Sequence, residues 1–89
     1  MTTVADGYNG WSNKATWNVQ LWITNKESIY KLVQMLARGS SGVGEFADTL
    51  EAFLWILWEG KTPDGERLNP VNWVEIAEAW GEDNDYNWL

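Results

Sequence analysis

Glu45-Phe46-Ala47-Asp48-Thr49-Leu50-Glu51-Ala52-Phe53-Leu54-Trp55-Ile56-Leu57-Trp58-Glu59 decides the fold of this 89-residue chain. Phe46, Leu50, Phe53, Leu54, Leu57 and Trp58 recur at the three- and four-residue spacing of an α-helix and form its main stripe. Trp55 and Ile56 carry the apolar surface past one face, so this helix is expected to be the central one. Asp48 and Glu51 occupy what remains of its polar side, and Gly60 ends it. The apolar run at 53–58 is far shorter than the roughly 20 residues a membrane-crossing helix needs, so no membrane partner is expected.

Upstream, Ile29, Leu32, Val33 and Leu36 mark a second helix. Thr24-Asn25-Lys26-Glu27 reads as a capping box at its start, and Gly39 as a left-handed stop. Residues 40–44, Ser-Ser-Gly-Val-Gly, form a flexible connector. Residues 16–23 fit a helix through Ala15, Val19, Trp22 and Ile23. They also fit a strand through Trp17, Val19, Leu21 and Ile23. Ser12 or Asn13 as a helix cap favours the helix. Residues 1–11 hold two glycines without periodicity and read as an irregular arm, pinned by Tyr8 and Trp11. Downstream, Pro63-Asp64-Gly65 signals a turn. A last helix starts at Asn69 or Asn72, with Glu75 as box partner of Asn72. It buries Trp73, Ile76, Ala77 and Trp80 and closes at Gly81. Residues 84–89 are an acidic, aromatic tail whose Tyr86, Trp88 and Leu89 are expected to dock back. The fold class that follows is mainly α: one compact three- to four-helix domain over residues 1–89. Its core should gather Trp22, Phe53, Leu54, Leu57, Trp73 and Ile76.

Eight tryptophans and no cysteine or histidine bound the chemistry. Thiol catalysis and soft-metal sites are excluded. The acids fall on solvated helix faces or in turns, so no catalytic residue is assigned and an enzyme is not expected. Glu82, Asp83 and Asp85 resemble half a calcium loop, but the glycine and the distal bidentate Glu are missing. No phosphate-cradling glycine loop is present, and no metal or cofactor is expected. The start of the chain has neither a basic nor an apolar signal region, so a cytoplasmic protein is expected.

Charge is uneven. Residues 1–44 carry Asp6 and Glu27 against Lys14, Lys26, Lys31 and Arg38, a sum of +2. Residues 45–89 carry eleven acids against Lys61 and Arg67, a sum of −9, which together give the net −7. Such a half repels nucleic acid and attracts basic surfaces, or serves only solubility. The acids expected to share a docking face are Asp48, Glu51, Glu59, Glu75, Glu78, Glu82, Asp83 and Asp85. Trp11, Trp55 and Trp88 are the hardest tryptophans to bury together and are the candidate exposed anchors.

The stretch Asn9-Gly10-Trp11-Ser12-Asn13-Lys14-Ala15-Thr16-Trp17-Asn18-Val19-Gln20-Leu21-Trp22-Ile23 resembles the opening of a family of small, uncharacterised phage, cyanobacterial and haloarchaeal proteins. They read N-x-x-T-W-N-V-x-L-W-I there and carry W-x-E-I-A-E near their end, here Trp73-Val74-Glu75-Ile76-Ala77-Glu78. The resemblance spans roughly the first third and the last quarter of the chain. It implies a folding signature, with Trp17 and Trp22 buried and Asn18 bonding a backbone group. Its phage members, the small size and the acidic half point to a non-enzymatic inhibitor of a host nucleic-acid-handling or defence system, of the anti-CRISPR or anti-restriction type. The partner expected is a basic, nucleic-acid-binding host protein met in the host cytoplasm, with acids standing in for phosphates. The alternative is a structural or accessory domain whose acidity only confers solubility.

Overall fold

Asn13 settles residues 16–23 as helix. In the computed structural model, which describes residues 8–86, its Oδ1 accepts from the Thr16 N–H at 2.8 Å. That bond satisfies one of the donors a helix start leaves open, and α1 (Lys14–Asn25) follows. After it come α2 (Glu27–Arg38), α3 (Val43–Trp58) and α4 (Trp73–Asn84). Among the described residues the fold is mainly α. Pairing outside the helices is limited to isolated bridges, Tyr8 with Trp11 and Lys61 with Arg67. None of the described helices is long and apolar enough to cross a membrane.

Three helix ends differ from their side-chain signals. Thr24 lies in the last turn of α1, where its hydroxyl donates to the Gln20 carbonyl at 2.8 Å. With Thr24 inside α1, its side chain is turned back along that helix and lies away from the opening N–H groups of α2. Lys26 instead joins the two: its N–H closes α1 on the Trp22 carbonyl, and its own carbonyl accepts from the Tyr30 N–H. Gly39 ends α2 in a right-handed conformation, φ −83°. No left-handed cap is needed there, because the Gly39 and Ser40 N–H groups and the Ser40 hydroxyl bond carbonyls of the last turn. Gly81 does not stop α4, which runs on to Asn84 and is turned by left-handed Asp85, φ 58°.

The two outer helices start together. Thr16 is fully buried. Its Oγ1 donates to Asn13 Oδ1 at 2.8 Å and accepts from the Asn72 N–H at 2.9 Å. Asn72 in turn caps α4, its Oδ1 accepting from the Glu75 N–H at 3.0 Å, while Asn13 Nδ2 donates to the Pro70 carbonyl at 2.8 Å. α3 and α4 run antiparallel. Phe46 near the start of α3 lies 6.2 Å from Trp80 of α4, ring centre to ring centre. At the other end the Leu68 N–H donates to the Gly60 carbonyl at 2.9 Å.

Val19, Ile23, Val33, Phe46, Leu50, Leu54 and Ile76 form the core, joined by Leu68 from the α3–α4 connector. Of the expected core set, Leu54, Trp73 and Ile76 are buried. Trp22 and Phe53 are half-buried, and Leu57 is exposed. Ile56 beside it is 80% exposed, so the extra apolar width of this helix emerges as outer surface in its last turn. Trp17 is likewise half-buried, meeting Tyr8 edge-on at 4.8 Å. Tyr86 docks as expected: its hydroxyl donates to Gln34 Oε1 at 2.6 Å, the same oxygen that accepts from Trp80 Nε1 at 3.1 Å. Trp88 and Leu89 lie outside the described residues.

Burial separates two apolar sites cleanly. Trp73→Ala should lower the unfolding free energy by about 3–5 kcal/mol. Ile56→Ser should change it by no more than about 0.5 kcal/mol. Denaturant unfolding of both variants checks the pair, and comparable losses would contradict the packing described.

Candidate interaction surfaces

The eight acids read as one face divide into three groups. Glu75 is committed inside the fold. Its Oε1 accepts from the Ser12 N–H at 3.2 Å and the Ser12 hydroxyl at 2.7 Å, tying the arm to α4. The reciprocal capping-box bond to the Asn72 N–H does not form, because the Thr16 hydroxyl already takes that donor. Asp48, Glu51, Glu78, Glu82, Asp83 and Asp85 form no side-chain hydrogen bond or ion pair among the described residues. Glu78 and Glu82 are four residues apart, about 6 Å along one ridge of α4, and Asp85 follows at its left-handed end. Asp83 stands about a third of a turn away from Glu78 and Glu82. Asp48 and Glu51 are three apart on α3. Glu59 forms the last group alone. It sits at the left-handed end of α3, about 20 Å along the axis from Phe46, beside the connector that carries Lys61 and Arg67.

The aromatic candidates have packing roles. Trp11 pairs its backbone with Tyr8 and lies half-buried against the core. Trp55 is also half-buried and lies over Gly60. A Cβ on Gly60 would stand 2.9 Å from the Trp55 ring, and Gly60 has φ +91°, so only glycine fits under that indole. Trp88 lies outside the described residues.

A further constellation is built on Asp64, which the sequence marks only as a turn residue. The Thr62 N–H bonds the Glu66 carbonyl, and the Gly65 N–H bonds the Thr62 carbonyl, both at 2.8 Å. Gly65 takes the left-handed conformation this closure needs, φ +95°. Asp64 at the tip reaches α1, where its Oδ2 accepts from Asn18 Nδ2 at 2.9 Å and Trp22 Nε1 at 3.0 Å. Asn18 therefore bonds a carboxylate and not the backbone group expected of it. These bonds, Asn18 first and then Trp22, hold the Asp64 carboxyl below the usual aspartate range, with help from the charge of Lys14. Beside it lies a surface hollow of about 200 Å³, lined by Leu21, Trp22, Asn25, Lys26 and Asp64. Small-molecule sites run to about 300–1,000 Å³, so its size suits a single side chain. The signal for this site was a buried-position asparagine with no local partner, facing a rigid Pro-Asp-Gly tip. Among the described residues no group of three or more potential ligands could hold a metal ion.

The chain belongs to a family of unknown function (DUF7249), which matches residues 4–85. No curated protein and no solved structure matches the chain.

The Asp64 clamp has a pH signature. A carboxyl held below its ordinary value of 3.8 stabilises the fold fully above that value and loses the contribution as pH falls through the lower folded one. Asp64→Asn keeps an acceptor oxygen but not the charge. The wild type should melt higher than Asp64→Asn near neutral pH, and the gap should close below pH 3.8. Thermal melts of both proteins between neutral and strongly acidic pH check this, and a gap constant throughout would remove the charge from the account.

Proposed function

We propose that this chain is a non-enzymatic protein-interaction module that docks a basic, nucleic-acid-handling protein through the uncommitted acids of α3 and α4. The observation that carries it is the division of labour among the carboxylates. Glu45 is bonded to Ser41, Glu66 to Lys14, Glu75 to Ser12 and Asp64 to Asn18 and Trp22. The row of Glu78 and Glu82, with Asp85 beyond it, has no such duty and faces solvent. Glu78 and Glu82 stand about 6 Å apart along the helix axis, about one carboxylate for every two phosphates of a DNA strand that rises about 3.4 Å per phosphate. Row and spacing favour an inhibitor of a host nucleic-acid-handling or defence system, of the anti-CRISPR or anti-restriction type. Such a protein would be phage-encoded and act in the host cytoplasm, its carboxylates occupying places that phosphates otherwise fill. The isolation of Glu59 and the offset of Asp83 favour the second reading, an accessory domain whose acidity only keeps it soluble.

The readings part on salt and on competition. A partner captured from host lysate should associate many-fold more slowly as salt is raised, because exposed charges are screened within about 8 Å at physiological ionic strength. The double variant Glu78→Lys with Glu82→Lys should slow association far more than it speeds dissociation. A partner already loaded with duplex DNA should not bind. Association rates indifferent to salt and to both substitutions would leave the solubility reading in place.

A further inference from the structure

Asn18 is only 2% exposed, yet its carboxamide is turned to serve an exposed carboxylate. Its Nδ2 donates to Asp64 while its buried Oδ1 has no partner among the described residues. A buried acceptor left unbonded destabilises a fold, so this orientation places the demand of the anion above that of the carbonyl. The Trp22 indole N–H converges on the same oxygen, Oδ2. No described residue donates to Oδ1 of Asp64. One oxygen of the carboxylate is thus locked in place, while the other is unbonded among the described residues, and Asp64 lines the hollow.

The walls fit a cation with an apolar stem. Trp22 offers an indole and Leu21, 36% exposed, an aliphatic surface. Lys26 lines the hollow but makes no ion pair with Asp64. The cation whose charge reaches Asp64 is Lys14, itself held by Glu66 at 3.3 Å. An indole beside a fixed carboxylate attracts guanidinium and ammonium groups through the ring and the charge together.

We propose that this hollow is a socket for one arginine or lysine side chain presented by a protein partner, its charged end on Asp64 Oδ1 and its stem against Trp22 and Leu21. The socket rests on the basic-partner reading but is a separate site from the α4 row. A single side chain seated in a pocket is the arrangement that concentrates binding energy at interfaces, and here it would set register where the α4 row supplies attraction.

The test is nitrogen–proton NMR of the whole chain, titrated with N-acetyl-arginine amide. The Trp22 indole signal is identified by its loss in Trp22→Phe. Arginine amide should move that signal saturably, with half-saturation at about millimolar concentration, as one residue supplies few contacts. The uncharged isostere N-acetyl-citrulline amide, and sodium chloride at matched ionic strength, should not. Asp64→Asn, which retains an oxygen for Asn18 and Trp22, should weaken the response at least about tenfold while the other indole signals stay in place. Equal responses to arginine, citrulline or salt, or an unchanged response in Asp64→Asn, overturn the socket. If arginine leaves Trp22 still while the Glu78 and Glu82 reversals abolish partner binding, the socket falls and the α4 docking face stands. If arginine is bound at Trp22 while partner binding ignores those reversals, the socket stands and the α4 row is not the docking face.

Discussion

One buried hydroxyl holds the fold closed. Thr16 Oγ1 donates to the cap of α1 and accepts from the backbone of the cap of α4. Each helix start leaves N–H groups without internal partners, and here the two starts are satisfied by one shared network. Ser12, Asn13, Thr16, Pro70, Asn72 and Glu75 are its members. The hydrophobic core can tolerate exchange of one aliphatic side chain for another of similar size. The Thr16 hydroxyl cannot be exchanged so freely, because its loss leaves the part-buried Asn72 N–H without its partner. The network also ties Ser12 to α4 and the α3–α4 connector to the start of α1.

The network accounts for what could be read from the chain and what could not. Helix existence followed from apolar spacing, and residue type narrowed the caps to Ser12 or Asn13 and to Asn69 or Asn72, since both are local properties. The end signals Thr24, Gly39 and Gly81 failed because each had a local alternative that competed successfully: back-bonding, a tightened last turn, and continued burial within α4. Glu75 looked like a box partner because nothing in its own segment announced that Thr16 had taken the donor. Leu57 looked internal because spacing reports a direction and not whether another element lies there. Asp64 stayed hidden for the opposite reason: its partners Asn18 and Trp22 are more than 40 residues away in sequence.

The segments 9–23 and 73–78 meet where their helices start. Asn13 and Thr16 from the opening bond the entrance of the closing segment, and Asn18 grips the turn tip between them. Their pattern is therefore accounted for by structure before any partner is considered. Function has to be sought in residues the network does not employ. On that criterion the outer acids of α4 and the open oxygen of Asp64 remain, while Trp11 and Trp55 are engaged in packing.

The Thr16–Asn72 bond also bears on the order in which the molecule assembles. It joins residues 56 apart, whereas the α1–α2 junction at Lys26 closes over four residues. Loop-closure entropy rises with loop length, by about 0.6 kcal/mol for each doubling. Neighbouring helices can therefore meet at lower entropic cost, and the joining of the first helix to the last is expected to come late along the folding path. Interactions that form after the transition state govern how fast a protein opens rather than how fast it folds. On that expectation the shared cap acts as a latch in the kinetic sense: removing the Thr16 hydroxyl would quicken unfolding and leave the folding rate nearly as it was.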